Sequence, residues 1–181
     1  YLSDEQCQAI SDFVAAGGSV VAAHQTSLYD EKGAPRADFG LADVFGVSMK
    51  GQPRDKVRNS YVAINGEHPI NRGYHGSQRI IGGTELIAVE PTTDIEQPFL
   101  LVPDFPDLPM EEVYPRLPPQ GVGVAARTTK AGGRVVYIPW NIGDVFWTYL
   151  APDQGMLIAN AVKWALGKTP EVTVEGKGVF D

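Results

Sequence analysis

Apolar positions at helical spacing give way to a short unbroken apolar run near the start of the chain. In Ser3-Asp4-Glu5-Gln6, the Ser hydroxyl and the Gln side chain can satisfy each other's backbone N–H groups, and the acids suit the positive end of a helix dipole. The spacing predicts a helix from about Asp4, with Cys7, Ile10, Phe13 and Val14 on one stripe and Gly17-Gly18 as the left-handed stop. Ser19 to Ala23 (SVVAA) has no polar alternation and reads as a central strand covered on both faces. A helix feeding such a strand implies a parallel sheet and a strand preceding the helix, for which the helix is the crossover.

Further along, Asp38 to Val47 predicts a short helical turn, with Phe39, Leu41, Val44 and Phe45 inward and Gly46 as its stop. Ser60 to Ile64 and Glu85 to Val89 read as short strands, and His68-Pro69-Ile70 with Asn71-Arg72-Gly73 as a turn. Seven prolines between Pro98 and Pro119 predict an irregular surface excursion. Gly121 to Arg127 and Arg134 to Ile138, joined by a Lys130 to Gly133 turn, predict two adjacent strands, and Pro139 to Asp144 a loop leaving the second. A last helix spans about Pro152 to Leu166, capped by Gly167, with Leu157, Ala161, Trp164 and Ala165 inward. The tail from Glu171 to Phe180 alternates like a half-buried strand.

Composition narrows the function classes. A chain of 181 residues, 43% hydrophobic, has the interior for one sizeable domain. Its net charge of −7, without a Lys/Arg cluster, argues against nucleic acid and anionic membrane surfaces, and no apolar run approaches membrane-spanning length. One cysteine, Cys7, excludes an internal disulfide framework.

Three groups of residues carry candidate chemistry. The loop His24-Gln25-Thr26-Ser27-Leu28-Tyr29-Asp30 follows a strand's carboxyl end, where open α/β sheets place ligands. An activated Ser27 would need small neighbours on a strained elbow, and Gln25 and Tyr29 are not small; a hydrogen-bonded loop or ligand rim is the competing reading. The histidines His24, His68 and His75 share no metal-ligand spacing. Trp140, Asn141, Asp144 and Trp147, with Tyr149, have the aromatic and hydrogen-bonding character of a sugar cleft or a subunit interface, with core packing the leading role for Trp147.

The opening run from Leu2 to Val47, the His68-Pro69-Ile70 step, Phe105-Pro106-Asp107 with Tyr114-Pro115-Arg116, and the block from Gly132 to Gly167 together resemble the glutamine-amidotransferase-like domain related to the β-galactosidase trimerisation domain of bacterial glycoside hydrolases. The last block is also similar to trehalose-utilisation-type domains. The resemblance implies an α/β fold, a flavodoxin-like three-layer α/β/α sandwich of the class I glutamine amidotransferase type, incomplete at its N-terminal side. It implies a domain over residues 1–168, followed over 169–181 by a linker and the first strand of a β-sandwich.

Class I amidotransferases place a cysteine at the elbow after the central strand and a His-x-Glu pair later. This chain has His24-Gln25 at the elbow, its one cysteine on the preceding helix, and no His-x-Glu. No catalytic residue carries over, and no cofactor or metal is implied. The expected role is a non-catalytic accessory or oligomerisation domain of a β-galactosidase-like or fucosidase-like enzyme. Its expected partners are a preceding catalytic barrel, a following β-sandwich and further copies of itself, with a trimer implied. The rival expectations are a stand-alone sugar-processing enzyme and a carbohydrate-binding domain. Localisation is left open, the single cysteine leaning towards the bacterial cytoplasm.

Overall fold

The capping box at Ser3 forms as the sequence requires, with Ser3 Oγ accepting from the Gln6 N–H at 3.2 Å and Gln6 Oε1 accepting from the Ser3 N–H at 2.9 Å. It starts α1 (Asp4–Ala15), and Gly17 at φ +97° turns the chain into β1 (Val20–Ala23). This computed structural model describes residues 1–102, 108–115 and 119–168. The expected tail strand, Phe105-Pro106-Asp107 and Arg116 lie outside the described residues. α2 (Ala42–Phe45) ends at Gly46, φ +72°, and Phe39, Leu41, Val44 and Phe45 are all buried. Then come β2 (Val47–Met49), β3 (Tyr61–Ile64), a 3-10 turn (Pro69–Asn71), β4 (Arg79–Ile81), β5 (Val89–Pro91) and β6 (Glu96–Leu101). The described elements end with α3 (Met110–Val113), β7 (Val122–Thr128), β8 (Arg134–Ile138), α4 (Ile142–Tyr149) and α5 (Pro152–Leu166).

The main sheet has the order β1-β8-β7-β6-β3-β4, and β2 pairs with β5 in a separate ribbon. Among the described residues only β1 and β8 run parallel in this sheet; its other four pairings are antiparallel. The fold is therefore α/β with a mixed sheet. The short turn after Thr128 forces β7 and β8 antiparallel, because a parallel return needs a crossover. Among the described residues β1 is an edge strand and not a central one, and Val21 is 36% exposed.

Three local expectations change. Residues 85–88 pass the end of β8, with Leu86 bridging to both Arg54 and Trp140, and the strand starts only at Val89. The loop expected from Pro139 becomes helical at Ile142. Pro98 lies inside β6, where the register slips between Glu96 and Phe99; a bulge is where a strand tolerates a missing N–H.

Alternation along the strands divides the core between the two faces. Val136 and Ile138 join Trp140, Leu157, Ala161 and Trp164 on the α5 side, whereas Val135 and Tyr137 join Cys7, Val14, Phe39 and Phe45 on the α1 side. Gly133 is required where the two turns meet, since a Cβ there would stand 2.2 Å from Gly18 O. His68 caps the 3-10 turn by accepting from the Ile70 N–H at Nδ1 (3.1 Å), while Asn71 Oδ1 accepts from the His68 N–H.

A buried Gln154 ties α5 to the sheet. Its Oε1 accepts from Trp140 Nε1 at 3.0 Å and its Nε2 donates to Ile81 O at 2.6 Å. Gln154→Leu keeps most of the volume but orphans both partners, which costs about 2–4 kcal/mol. We expect a loss of that size in urea denaturation; a loss below about 1 kcal/mol would show that the amide is dispensable.

Candidate functional site at the carboxyl ends of β1 and β8

The parallel pairing brings the residues after β1 beside those after β8. The ladder continues one step past β1, with the His24 N–H donating to Ile138 O at 2.7 Å. The chain then turns sharply, with His24 at φ +52° and Ser27 at φ +66°. Tyr137, stacked on Phe45 at 4.7 Å, donates its hydroxyl to His24 O at 2.6 Å. Burial, with the nearby Asp38 carboxylate adding to it, raises the Tyr137 phenol well above its ordinary value and keeps it a donor.

The hydroxyls of the first loop are committed to backbone. Ser27 is fully buried, and its Oγ accepts from the Leu41 N–H at 3.1 Å. Thr26 Oγ1 donates to Ala23 O at 2.7 Å. Asp30 accepts from the Lys32 and Ala34 N–H groups at 2.9 and 2.8 Å, closing a tight loop. These backbone bonds, that from Ala34 foremost, hold its pKa below the ordinary value. Tyr29 is half-buried against Tyr1, 5.6 Å between ring centroids, and Gln25 is half-buried.

Asn141 is the stitch of the second segment. Its Oδ1 accepts from the Thr84 and Glu85 N–H groups at 3.1 and 3.0 Å, and its Nδ2 donates to Thr84 Oγ1 at 2.9 Å and Asp144 Oδ2 at 3.1 Å. All four of its ordinary hydrogen-bonding positions are occupied. Gly83 allows the approach, because a Cβ there would sit 2.5 Å from Trp140 Cβ. Asp144 also accepts from Thr148 Oγ1 at 3.1 Å.

The two segments meet where His24 Nε2 lies 3.5 Å from Glu85 Oε2, the imidazole 15% exposed and the carboxylate 45%. Burial lowers the His24 pKa, and the Glu85 charge opposes this without reversing it. A neutral imidazole beside an exposed carboxylate can accept or pass a proton. Among the described residues no uncommitted hydroxyl or thiol joins it, since Ser27 and Thr26 bond to backbone and Cys7 is buried on α1.

The structure thus brings together His24, Asn141 and Asp144, adds Glu85, and leaves Ser27, Tyr29 and Asp30 in the loop on their own contacts. Two aromatic assignments change. Trp140 is fully buried and offers no ring face to a sugar, because it fills the core between β8 and α5. Trp147, for which core packing was expected, is 74% exposed, with Tyr149 at 59% and Leu150 at 74% beside it. Glu85 carried no signal in the sequence: it sits in an apparent strand, and only the fold aligns it with His24. Among the described residues no three His, Cys, Asp or Glu side chains converge as a metal site.

The fold has solved counterparts. The chain matches a cold-adapted β-galactosidase from Rahnella sp. R3 with a TM-score of 0.58 at 16% identity, over 86% of this chain and 21% of that one. It matches Gan42B, a GH42 β-galactosidase, with a TM-score of 0.54 at 15% identity, over 85% of this chain and 20% of that one. The chain therefore spans about a fifth of the length of the structures it matches, and its fold is that of a small region within them. Neither a protein-family model nor a curated protein sequence matches it.

The lowered His24 and His68 pKa values, both caused first by burial, give a pH prediction. Each unfolded imidazole takes a proton near pH 6.5, before its folded counterpart does. Their stabilising effect is thus complete above that pH and is lost as pH falls towards the folded values. The double variant His24→Asn, His68→Asn keeps the positive φ and the cap. It should show a flatter pH dependence of unfolding free energy as pH falls below about 6.5. NMR titration of His24 at or above 6.5 would contradict the assignment.

Proposed function

We propose that this chain is an accessory domain of a glycoside hydrolase of the β-galactosidase kind, serving subunit and domain contact and not the chemical step. The observation that carries the reading is the fold match to one region of two β-galactosidases more than four times the length of the match. The way the side chains at the carboxyl ends are committed agrees with it. Among the described residues His24 and Glu85 pair without a nucleophile, and the Thr26 and Ser27 hydroxyls are spent on backbone.

On this reading the domain occupies residues 1–168 and is flavodoxin-like in the amidotransferase sense, with its sheet completed by polypeptide before α1. Its partners are a catalytic barrel upstream, a β-sandwich downstream and equivalent copies in a trimer. Exposed Trp147, Tyr149 and Leu150 on one end of α4 supply the aromatic character that interface centres favour.

Two experiments on the full encoded protein test this. The triple variant His24→Asn, Ser27→Ala, Asp30→Asn should hydrolyse a chromogenic β-galactoside with kcat/KM within about 2-fold of the parent. A 100-fold fall in a folded protein would return the loop to the catalytic machinery. Trp147→Asp, which places a charge in the exposed patch, should shift the sedimenting species towards monomer. An unchanged oligomer would remove α4 from the interface.

A further inference from the structure

At the amino end of β8, away from the His24 segment, four cations from separate parts of the chain line one cleft of about 500 Å³. Arg72 follows the 3-10 turn, Arg134 opens β8, Lys163 stands in the last turn of α5, and Lys168 follows its Gly167 cap. Pro69 and the buried Trp164 form the apolar part of the wall, and no acid lines it. In a chain of net charge −7 this is a local reversal of sign. The four are scattered between positions 72 and 168, so no run of charge announces them.

The ordinary roles of surface cations do not account for the cluster. Among the described residues none of the four forms an ion pair, and Glu96 is engaged by His68 Nε2 at 3.2 Å. The carboxyl end of α5 carries roughly half a negative charge. Arg134 meets it by donating Nη1 to Trp164 O at 2.7 Å, which leaves the charges of Arg72, Lys163 and Lys168 unmatched.

Arg134 is held in place with most of its donors free. Its guanidinium lies over the Trp164 ring, 5.2 Å from Cζ to the centroid, and the bond to Trp164 O is the only hydrogen bond of that fork among the described residues. A Cβ at Gly167 would stand 3.8 Å from Arg134 Cζ, so the glycine that caps α5 also leaves this side of the guanidinium uncovered. Elsewhere in the wall Asn160 Nδ2 donates to Ile70 O at 3.2 Å and Arg72 O at 2.9 Å, fixing the backbone that carries Arg72. The Arg72 charge reaches His68, whose pKa burial lowers first, with Glu96 opposing and Arg72 lowering it further.

We propose that this cleft binds a phosphate group, carried as the monoester of a sugar-sized molecule or as the free ion. A phosphate brings close to two negative charges and three acceptor oxygens, whereas a single carboxylate would leave most of the cations repelling one another. A guanidinium fork suits it, because two parallel N–H···O bonds can form at once. The volume falls in the range of small-molecule sites and exceeds what a bare ion fills, which favours the ester. The inference goes beyond the accessory-domain reading, and its readout involves no turnover, so either can fail without the other.

The test is an NMR titration of the 181-residue chain at constant ionic strength with inorganic phosphate, a hexose 6-phosphate and the unphosphorylated hexose. Both phosphates should give saturable shifts at Arg134 Nε–H and at the Gly167 and Lys168 amides, with Kd near or below about 1 mM. The sugar phosphate is the tighter if the ester is the ligand, and the two are alike if the free ion is. Arg134→Gln should weaken phosphate binding about 10-fold or more, and Lys163→Gln at least about 5-fold. Lys163 is exposed, so its variant keeps the test decisive if loss of the Arg134–Trp164 contact unfolds the chain. Lys50→Gln, whose charge pairs with Glu90, should leave binding unchanged. No saturable shift with either phosphate would overturn the proposal. So would the same shifts with the unphosphorylated hexose or with chloride, or equal weakening by Lys50→Gln, since the cleft would then show no preference for phosphate.

Discussion

The parallel contact between β1 and β8 is the constraint on which the rest of the structure depends. It sets Val20 beside Val135 and Ala23 beside Ile138, closing a chain segment whose loop entropy alone costs on the order of 4 kcal/mol. What offsets the cost is the packing of Tyr137 and Val135 against α1 and α2 on one face, and of Val136 and Ile138 against α5 on the other. Gly18 and Gly133 let the two turns touch at one end of the pair. At the other end the pairing brings His24 beside the segment of Trp140 and Asn141, where polar side chains of separate chain segments meet.

Those side chains are used for cohesion. Asn141 joins the 84–85 backbone to the start of α4, and Ser27 joins the β1 loop to Leu41. A buried hydroxyl that accepts from a backbone N–H satisfies that donor, and in doing so it gives up access to any substrate. The same reasoning accounts for Trp140, whose indole N–H reaches Gln154 inside the core. What stays open to solvent at this end is Glu85, Asp144 and the aromatic end of α4, a surface suited to contact.

Much of the fold was legible because its signals are local. The capping box at Ser3, the glycine stops at Gly17, Gly46 and Gly167, the His68-Pro69 turn and the stripe of α5 all form as their residues dictate. Pairing was less legible. The absence of polar alternation in Ser19–Ala23 reads as a central strand, yet among the described residues β1 is an edge, because apolar character reports how a strand's faces are covered and not which of its edges is paired. The exchanged roles of Trp140 and Trp147 have a similar origin. The two lie on opposite sides of the start of α4, and only the unforeseen helix from Ile142 decides which ring turns inward. The His24–Glu85 pair joins segments distant in sequence, so no spacing rule could have reported it.

The central claim is that this region contributes contacts and not chemistry to a sugar-processing enzyme. Its most direct test is the turnover of a chromogenic β-galactoside by the purified 181-residue chain and, at equal molar concentration, by the full encoded protein. The account predicts hydrolysis by the full protein and none above buffer by the 181-residue chain. Turnover by the 181-residue chain alone, abolished by His24→Asn or Glu85→Gln, would contradict it.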